Sequence, residues 1–328
     1  MNDRAVTLLE QYEIEAESTR KGRDAILIAS DKGPLIFKEY KGSPQHLKVQ
    51  DRLLRTIKKK GLLETESLLP TKEGAFFVKD GDGISYILKT YREGRECNVR
   101  ETEDCLAAVR LLAKLHLGTQ DGLLPEEDET ELPAFDVAAE YEKRNRELRK
   151  VRKFLKGRSQ KTWFEISLLG CFDAFYEQAL DAREGWDAYR DAALWQGGCL
   201  AYCHGDYQHH NVILDQRTWL PVNFERCIKD DPVRDLHLFL RKILEKSNWS
   251  VSLGEKLLRE YDRVRPLSAI SRIDLFYRLS YPEKFWKIAN FYYNSGKAWI
   301  PEKNQEKLEK LIAREREKKE FLQTVFQI

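Results

Sequence analysis

The sequence predicts an α+β fold in two lobes: a small antiparallel-sheet lobe over residues 1–92 and a larger helical lobe over residues 93–328. Three observations lead there. Short apolar runs separated by turn residues crowd the stretch from Ile14 to Tyr91, the signature of strands joined by hairpins. From Asp104 onward the apolar spacing becomes helical. One polar stretch, His204 to Asn211, interrupts the helices and opens a further hairpin. The chain has 328 residues, which suits two units at the usual domain length of roughly 150 residues.

Composition narrows the class. Hydrophobic residues make up 42% and charged residues 34%, as in a globular protein with a highly charged surface. The 56 basic and 54 acidic residues leave a net charge of +2, so no global electrostatic attraction to nucleic acid or membrane is expected. No apolar run approaches the ~18 residues that span a bilayer. Met1-Asn2-Asp3-Arg4 leads into a mixed-charge helix and not an apolar signal core, so synthesis and folding in a cytoplasm are expected. The six cysteines are scattered and are expected as thiols.

The elements follow in order. Ala5 to Tyr12 reads as a short helix. Ile14–Thr19, Ala25–Ala29 and Leu35–Tyr40 read as strands, with turns at 20–24 and 31–34. The first turn carries only Gly22, so it is not a G-x-G-x-x-G phosphate loop; its basic residues suit either phosphate or solvent. Lys38 ends the apolar strand run Leu35-Ile36-Phe37, where a lysine can grip nucleotide phosphates. Pro44 to Lys60 has helical spacing, and Asp51 is the one carboxylate in it. Either Lys38 pairs with Asp51 or the pair is missing. Ala75–Lys79 and Ile84–Tyr91 form a further strand pair, and the lobes are expected to divide near Thr90 to Gly94.

Asp104 to Leu117 is a helix with Leu106, Val109, Leu112, Ala113 and His116 near one face. His116 reads as a structural histidine at a helix end. The acidic run from Pro125 to Pro133 reads as a solvated loop, with recognition of a cationic substrate as the other reading. Ala134–Lys156, Thr162–Arg183 and Trp186–Trp195 are expected as three helices, and Glu302 to Phe326 as a last, charge-rich one.

The stretch His204-Gly205-Asp206-Tyr207-Gln208-His209-His210-Asn211 carries the chemistry. An aspartate, four residues and an asparagine give the spacing of a phosphoryl-transfer loop. Asp206 would accept the proton of an incoming hydroxyl, and Asn211 would offer its carbonyl oxygen to Mg²⁺. His204 and Gly205 would turn the backbone and hold the aspartate. An ordinary polar turn would use similar residues. A zinc site from Cys199, Cys203, His204, His209 and His210 is disfavoured, because Cys203 and His204 are adjacent where about a dozen residues separate zinc-finger ligand pairs. The catalytic loop spans 203–211 and a metal-site hairpin 212–225. The second strand of that hairpin reaches Asn223, where a metal-binding aspartate would be expected. Glu225 follows on the same face if the strand continues. Asp231 and Pro232 open the next helix as N-cap and first residue.

Lys38, His204-Gly205-Asp206, Asn211 and Pro232-x-x-Asp235-Leu236 together resemble the aminoglycoside phosphotransferase and choline kinase branch of the protein-kinase-like fold. Only about a dozen residues separate Asn223 from Asp235, too few for a long activation segment, which points to a small-molecule kinase ancestor. A closer resemblance lies in Leu88-Lys89-Thr90, Gly94 to Asn98, Cys203 to Tyr207, Asn223-Phe224-Glu225-Arg226-Cys227, Val233 to Leu236 and Phe239 to Lys242. These blocks are similar to the CotS-type spore coat proteins of endospore-forming Firmicutes. That resemblance implies a kinase-like protein made in the mother-cell cytoplasm and deposited on the spore coat among other coat proteins, with Asn223 a family variant.

Three functions stay open. One is an ATP- or GTP-dependent phosphotransferase acting on an unidentified acceptor, a small molecule or coat component. It would use Asp206 as base, Lys38 on phosphate, Asn211, Asn223 and Glu225 on Mg²⁺, and Asp235 behind the loop. The second is a catalytically weak scaffold for coat assembly. The third is a nucleotide-binding module without transfer.

Overall fold

The computed structural model describes residues 3–120, 122–125, 132, 136–191, 200–295 and 302–327. Glu126, Glu127, Asp128, Glu129 and Glu131 of the acidic run, the end of the expected Trp186–Trp195 helix and Cys199 lie outside the described residues. The chain forms two compact units. The first comprises Met1–Ala134, Cys199–Phe239 and Glu260–Arg265; the second comprises Phe135–Gly198, Leu240–Arg259 and Pro266–Ile328.

The first unit opens with a 3-10 helix, Asp3–Gln11, and then an antiparallel sheet. Its strands are β1 (Ala16–Gly22), β2 (Ala25–Ser30), β3 (Gly33–Tyr40), β4 (Leu68–Leu69), β5 (Val78–Lys79) and β6 (Ser85–Thr90), in the order β1-β2-β3-β6-β4, with β5 also on β6. Alternation decides what each face does. One face carries Ile26, Ile28, Leu35, Phe37, Tyr86 and Leu88, which pack with Leu9, Tyr12 and Val78 into a buried core. Phe37 stacks on Tyr86 with ring centroids 5.2 Å apart. The register pairs Ala25 with Lys38, Leu27 with Ile36, Lys38 with Ile87 and Ile36 with Lys89. The other face therefore carries Ala25, Leu27, Ile36, Lys38, Ile87 and Lys89 together.

Helix α1 (Pro44–Lys59) follows β3. Ser43 caps it by accepting the His46 N–H at 3.1 Å, with Pro44 in the first turn, as helix starts favour. Across from it, His46 Nε2 lies 2.9 Å from the Cys227 carbonyl. Strand β7 (Arg95–Glu96) continues the chain past Gly94 and pairs with the hairpin of β9 (Val212–Asp215) and β10 (Thr218–Pro221). Gly94 is needed there, because a Cβ would lie 2.5 Å from the Leu214 carbonyl oxygen. Helix α2 (Thr102–Gly118) and the pair of β8 (Ala201–Cys203) with β11 (Ile228–Asp230) complete the surroundings of the loop.

Among the described residues, the remaining elements are helices: α3 (Val137–Gly157), α4 (Trp163–Asp191), α5 (Val233–Lys246), α6 (Val251–Val264), α7 (Ala269–Ser280), α8 (Glu283–Ser295), α9 (Glu302–Ala313) and α10 (Glu315–Phe326). In the second unit, Leu148, Val151, Phe164, Leu168, Phe172 and Phe285 form an apolar core, with Phe175 stacked on Phe285 at 4.7 Å.

Several expected boundaries move. Residues 75–77 are not strand. Ala75 closes a turn on Thr71 through two hydrogen bonds, at 2.7 and 3.0 Å, and Phe76 and Phe77 pack against Tyr40, Leu47, Leu68 and Ile87. The break expected between Arg183 and Trp186 does not occur. Gly185 sits inside α4, where a Cβ would lie 2.2 Å from the Tyr277 ring, so this glycine admits a close neighbour and does not end the helix. The last expected helix is two helices broken at Arg314, whose guanidinium donates to the Glu245 carbonyl at 2.6 Å. The hairpin strand ends at Pro221 and does not reach Asn223.

Candidate functional site

Loop 203–211 is held from below by one carboxylate. Asp235 lies in the first turn of α5 and is fully buried. Its oxygens accept the backbone N–H groups of His204 at 2.6 Å and Gly205 at 2.9 Å. His116 Nε2 lies 3.3 Å from the same carboxylate, and His116 Nδ1 lies 2.8 Å from the Tyr261 hydroxyl. Burial alone would raise the Asp235 pKa, but the hydrogen bonds from His116 and from the His204 N–H outweigh it and hold it below the ordinary value. Burial pushes the His116 pKa down. His116 is thus a structural link in a buried chain, as its helix-end position suggests.

Gly205 has φ +78°, and a Cβ there would lie 1.8 Å from the Arg226 carbonyl oxygen, so only glycine fits. His204 is buried. Its Nε2 lies 2.8 Å from the Val222 carbonyl, and its Nδ1 accepts the Asp206 N–H at 3.2 Å. Both ring nitrogens therefore bind backbone, which fixes the neutral tautomer with the proton on Nε2. His204 positions Asp206 and leaves no ring nitrogen for zinc or for proton transfer. Asp206 itself is partly exposed, with Gln208 Nε2 at 2.5 Å from one oxygen and the exposed Arg226 at 3.9 Å from the other. Asn211 Nδ2 donates to the Asp206 carbonyl at 2.8 Å.

Lys38 faces the side of the sheet opposite the apolar core, and its ammonium lies 3.5 Å from Glu225 Oε1. It does not meet α1. Asp51 pairs instead with Arg55 one helical turn away, at 2.7 Å, and the neighbouring Gln50 amide is buried without a hydrogen-bond partner among the described residues. The expected Lys38–Asp51 pair is therefore replaced by Lys38–Glu225. An i, i+4 arginine on the same helix face reaches the aspartate with no chain rearrangement.

Asn223 adopts the left-handed conformation, φ +69°, which asparagine tolerates. The chain then turns through Phe224–Cys227, closed by a Cys227 N–H to Phe224 carbonyl bond of 2.9 Å. Glu225 reaches the site through this turn and not through strand alternation. Asn223 Nδ2 donates to Asn211 Oδ1 at 2.8 Å, so the two asparagines expected to face a metal are bonded to each other.

Two residues that the sequence reading passed over occupy the centre. Lys89 is 1% exposed, and its ammonium donates to Glu66 Oε2 at 2.9 Å, Asn223 Oδ1 at 2.7 Å and Glu225 Oε1 at 2.5 Å. Glu66, also 1% exposed, accepts the backbone N–H groups of Asn223 at 2.9 Å and Phe224 at 3.1 Å. Burial alone would lower the Lys89 pKa, but Glu225 and Glu66 outweigh it and hold it above the ordinary lysine value. Burial likewise would raise Glu225, but Lys89 and Lys38 bring it down to about 2. Two ammonium groups thus face two carboxylates in a largely buried cluster, an arrangement whose charges stabilise one another only because every one is paired.

A cavity of about 240 Å³ lies beside this cluster. The β1–β2 turn lines it with Gly22 and Arg23, and the sheet with Ala25, Leu27, Ile36, Lys38 and Lys89. The crossing segment contributes Thr90 to Arg92, Gly94 and Glu96, and the hairpin Ile213, Val222 and Asn223. Its lining mixes apolar side chains with the two lysines, Ile36 lying opposite Lys89 in the sheet.

Residues 5–325 match the family model described as "Spore coat putative kinase YutH". The chain belongs to that family. Spore coat protein S of Bacillus subtilis (strain 168) is 23% identical over 330 residues, spanning 94% of this chain and 88% of that protein, in line with the CotS-type resemblance. Among solved structures, an aminoglycoside phosphotransferase from Alicyclobacillus acidocaldarius is similar with a TM-score of 0.82 at 20% identity, covering 100% of this chain and 96% of that one. A spectinomycin phosphotransferase solved with ADP and spectinomycin gives 0.63 at 13% identity, covering 99% and 98%. An amicoumacin kinase solved with AMP-PNP and Ca²⁺ gives 0.64 at 12%, covering 97% and 94%. These likenesses show the fold: a kinase-like α+β architecture with an antiparallel-sheet N-terminal part and a mostly helical C-terminal part. Among the described residues, no helix is long and apolar enough to cross a membrane.

Proposed function

We propose that this coat-family protein is a nucleotide-binding, kinase-like component of the spore coat, made in the mother cell, that binds ATP or GTP and transfers phosphate weakly or not at all. The cavity is the observation that carries the reading. Its apolar side chains, Leu27, Ile36, Ile213 and Val222, suit a flat base, and the crossing segment at Thr90 to Gly94, where the two lobes are proposed to divide, would offer backbone groups to it. Lys38, 26% exposed and 3.5 Å from Glu225, would turn to the phosphates. The phosphotransferases solved with ADP and AMP-PNP support this as relatives in fold.

A second reading, transfer of the terminal phosphate to an acceptor hydroxyl, is favoured by the Asp206 arrangement. The loop is braced by Asp235, His204 and Asn211, and the Asp206 carboxylate stays open to solvent on one side, as a proton acceptor must. That reading calls for Mg²⁺ on Asn211, Asn223 and Glu225, and their converging oxygens, Asn211 Oδ1, Asn223 Oδ1 and Glu225 Oε1, are engaged by amide and ammonium groups, so the residues as arranged do not fit the ion.

Thermal unfolding with added ATP or GTP tests the first reading. Ligand at a hundred times its dissociation constant stabilises the folded chain by ~2.7 kcal/mol, a rise in melting temperature of roughly 2 °C or more at this size. No rise with either nucleotide would leave a scaffold that keeps the fold for its shape. ADP release that disappears in Asp206→Asn would establish transfer.

A further inference from the structure

The Lys89 ammonium stands where a divalent cation would have to bind. The oxygens that meet in this cluster are Asn211 Oδ1, Asn223 Oδ1, Glu225 Oε1 and Glu66 Oε2. Asn211 Oδ1 takes the Asn223 amide proton at 2.8 Å. Asn223 Oδ1, Glu225 Oε1 and Glu66 Oε2 all converge on Lys89 Nζ, at 2.7, 2.5 and 2.9 Å. An ammonium has three N–H donors, and here each has its own acceptor. Mg²⁺ demands an octahedron of oxygens at about 2.0–2.1 Å. An ion bound between Asn223 Oδ1 and Glu225 Oε1 would lie against the ammonium nitrogen, which carries like charge. The lysine also cannot withdraw cheaply: it is 1% exposed, and its departure would leave Glu66 without its ammonium and Glu225 with Lys38 alone.

We propose that Lys89 is the built-in cation of this site, so that the cavity takes a nucleoside triphosphate without a divalent metal. This rests on the nucleotide reading above. Lys89 neutralises the carboxylates that would otherwise repel phosphate, and it holds Asn223 and Glu225 in place. Lys38, which shares Glu225 and is partly exposed, supplies the charge that meets the phosphates. A protein carrying its own fixed cation needs no metal to be recruited with each nucleotide.

Two measurements on the full chain test this. The first uses Mn²⁺ alone, followed by its electron paramagnetic resonance signal, and involves no nucleotide. Wild-type protein is expected to show no specific Mn²⁺ site. Lys89→Gln leaves two carboxylates and the Asn223 amide oxygen without that ammonium, and is expected to gain a site at least about tenfold tighter than anything in wild type. The second is ATP binding by calorimetry in EDTA and in Mg²⁺. Wild-type affinity is expected to agree within about threefold between the two, and Lys89→Gln to lose about tenfold or more in EDTA only. A specific Mn²⁺ site in wild type, or wild-type ATP binding that collapses in EDTA, overturns the proposal. If neither protein binds ATP under any condition, the nucleotide reading fails while the Mn²⁺ arm still decides what Lys89 replaces. Should Lys89→Gln unfold, recovery of its melting transition by Mn²⁺ is the expected result, and the two wild-type arms stand on their own.

Discussion

Two buried lysines, one in each unit, behave in opposite ways. Lys89 in the first unit and Lys318 in the second are 1% and 6% exposed. Burial disfavours the charged form of both. Lys89 has two carboxylates in hydrogen-bond contact, and its pKa rises above the ordinary value. Lys318 donates to the Ser280 carbonyl at 2.8 Å and lies over the Trp249 ring at 5.7 Å. Burial is the leading influence there, only partly offset by Glu315 and Glu245, and brings its pKa down to about 8. A dipole and a ring hold an ammonium but do not replace its water. The difference is the physical ground for reading Lys89 as a permanent charge that organises a site and Lys318 as a packing residue.

The largest test of the contrast is deletion of each charge. Lys89→Met strands Glu66 and part of Glu225 in a buried site and is expected to destabilise the chain by about 3–5 kcal/mol, the usual cost of removing one partner of a buried ion pair. Urea denaturation measures it. A loss below about 1 kcal/mol would mean the cluster is wetter and looser than its distances indicate.

Acid should show the same cluster from the other side. Glu225 has a folded pKa of about 2 against an ordinary 4.5. A depressed carboxylate contributes its full stability above the unfolded value and loses it as pH falls from 4.5 through 2. The contribution at neutral pH is of order 3 kcal/mol. The stability difference between wild type and Glu225→Gln, followed by urea midpoints between pH 6 and pH 2.5, should shrink over that window. A constant difference would show that the two lysines do not act on Glu225 electrostatically.

For Lys318 the sign reverses. Its folded pKa of about 8 lies below the ordinary 10.5, so the unfolded chain binds more protons between those values and stability rises with pH across them. Below pH 8 the buried charge is a burden. Lys318→Met should therefore be more stable than wild type at pH 7 by about 1–3 kcal/mol, the pKa shift less the lost bond to Ser280, and the advantage should fade towards pH 10.5. Thermal melts of both proteins across that range would show it. A less stable Lys318→Met at pH 7 would place this lysine in the same class as Lys89.

The two lysines also mark how far the sequence can be read. Lys38 and Asp206 could be found because each sits in a local pattern, a strand-ending lysine and a D-x-x-x-x-N loop. Asp235 entered through the resemblance of Pro232-x-x-Asp235-Leu236 to the kinase-like family. Lys89 was not: a lysine in Tyr86-Ile87-Leu88-Lys89 reads as the solvent side of a strand, and its partners Asn223 and Glu225 lie 134 and 136 positions away. The missing signal is register. Once β3 and β6 are paired with Ile36 opposite Lys89, an inward Lys38 forces an inward Lys89, since side chains two apart share a face. Glu66 was hidden for the same reason, holding backbone 157 residues on. Asp51 misled because a helix carboxylate satisfies a nearby arginine as readily as a distant lysine.

Asp206 should give the smallest effect on stability, and that is what makes it informative. Its carboxylate is partly exposed, and its two side-chain partners, Gln208 and Arg226, sit at the surface side of the loop, with Arg226 3.9 Å away and largely exposed. The loop geometry depends on backbone groups held by Asp235, His204 and Asn211, none of which uses the Asp206 carboxylate. Asp206→Asn keeps the side-chain shape and removes only the charge, so its stability should match wild type within about 0.5 kcal/mol. ATP affinity, carried by the cavity and Lys38, should be unchanged as well. Calorimetric titration and a urea midpoint on the same preparation check both. A variant that folds and binds like wild type isolates the carboxylate: ADP release present in wild type and absent in Asp206→Asn would then assign a base. Equal silence in both would leave Asp206 as a solvated loop residue and the binding function standing alone.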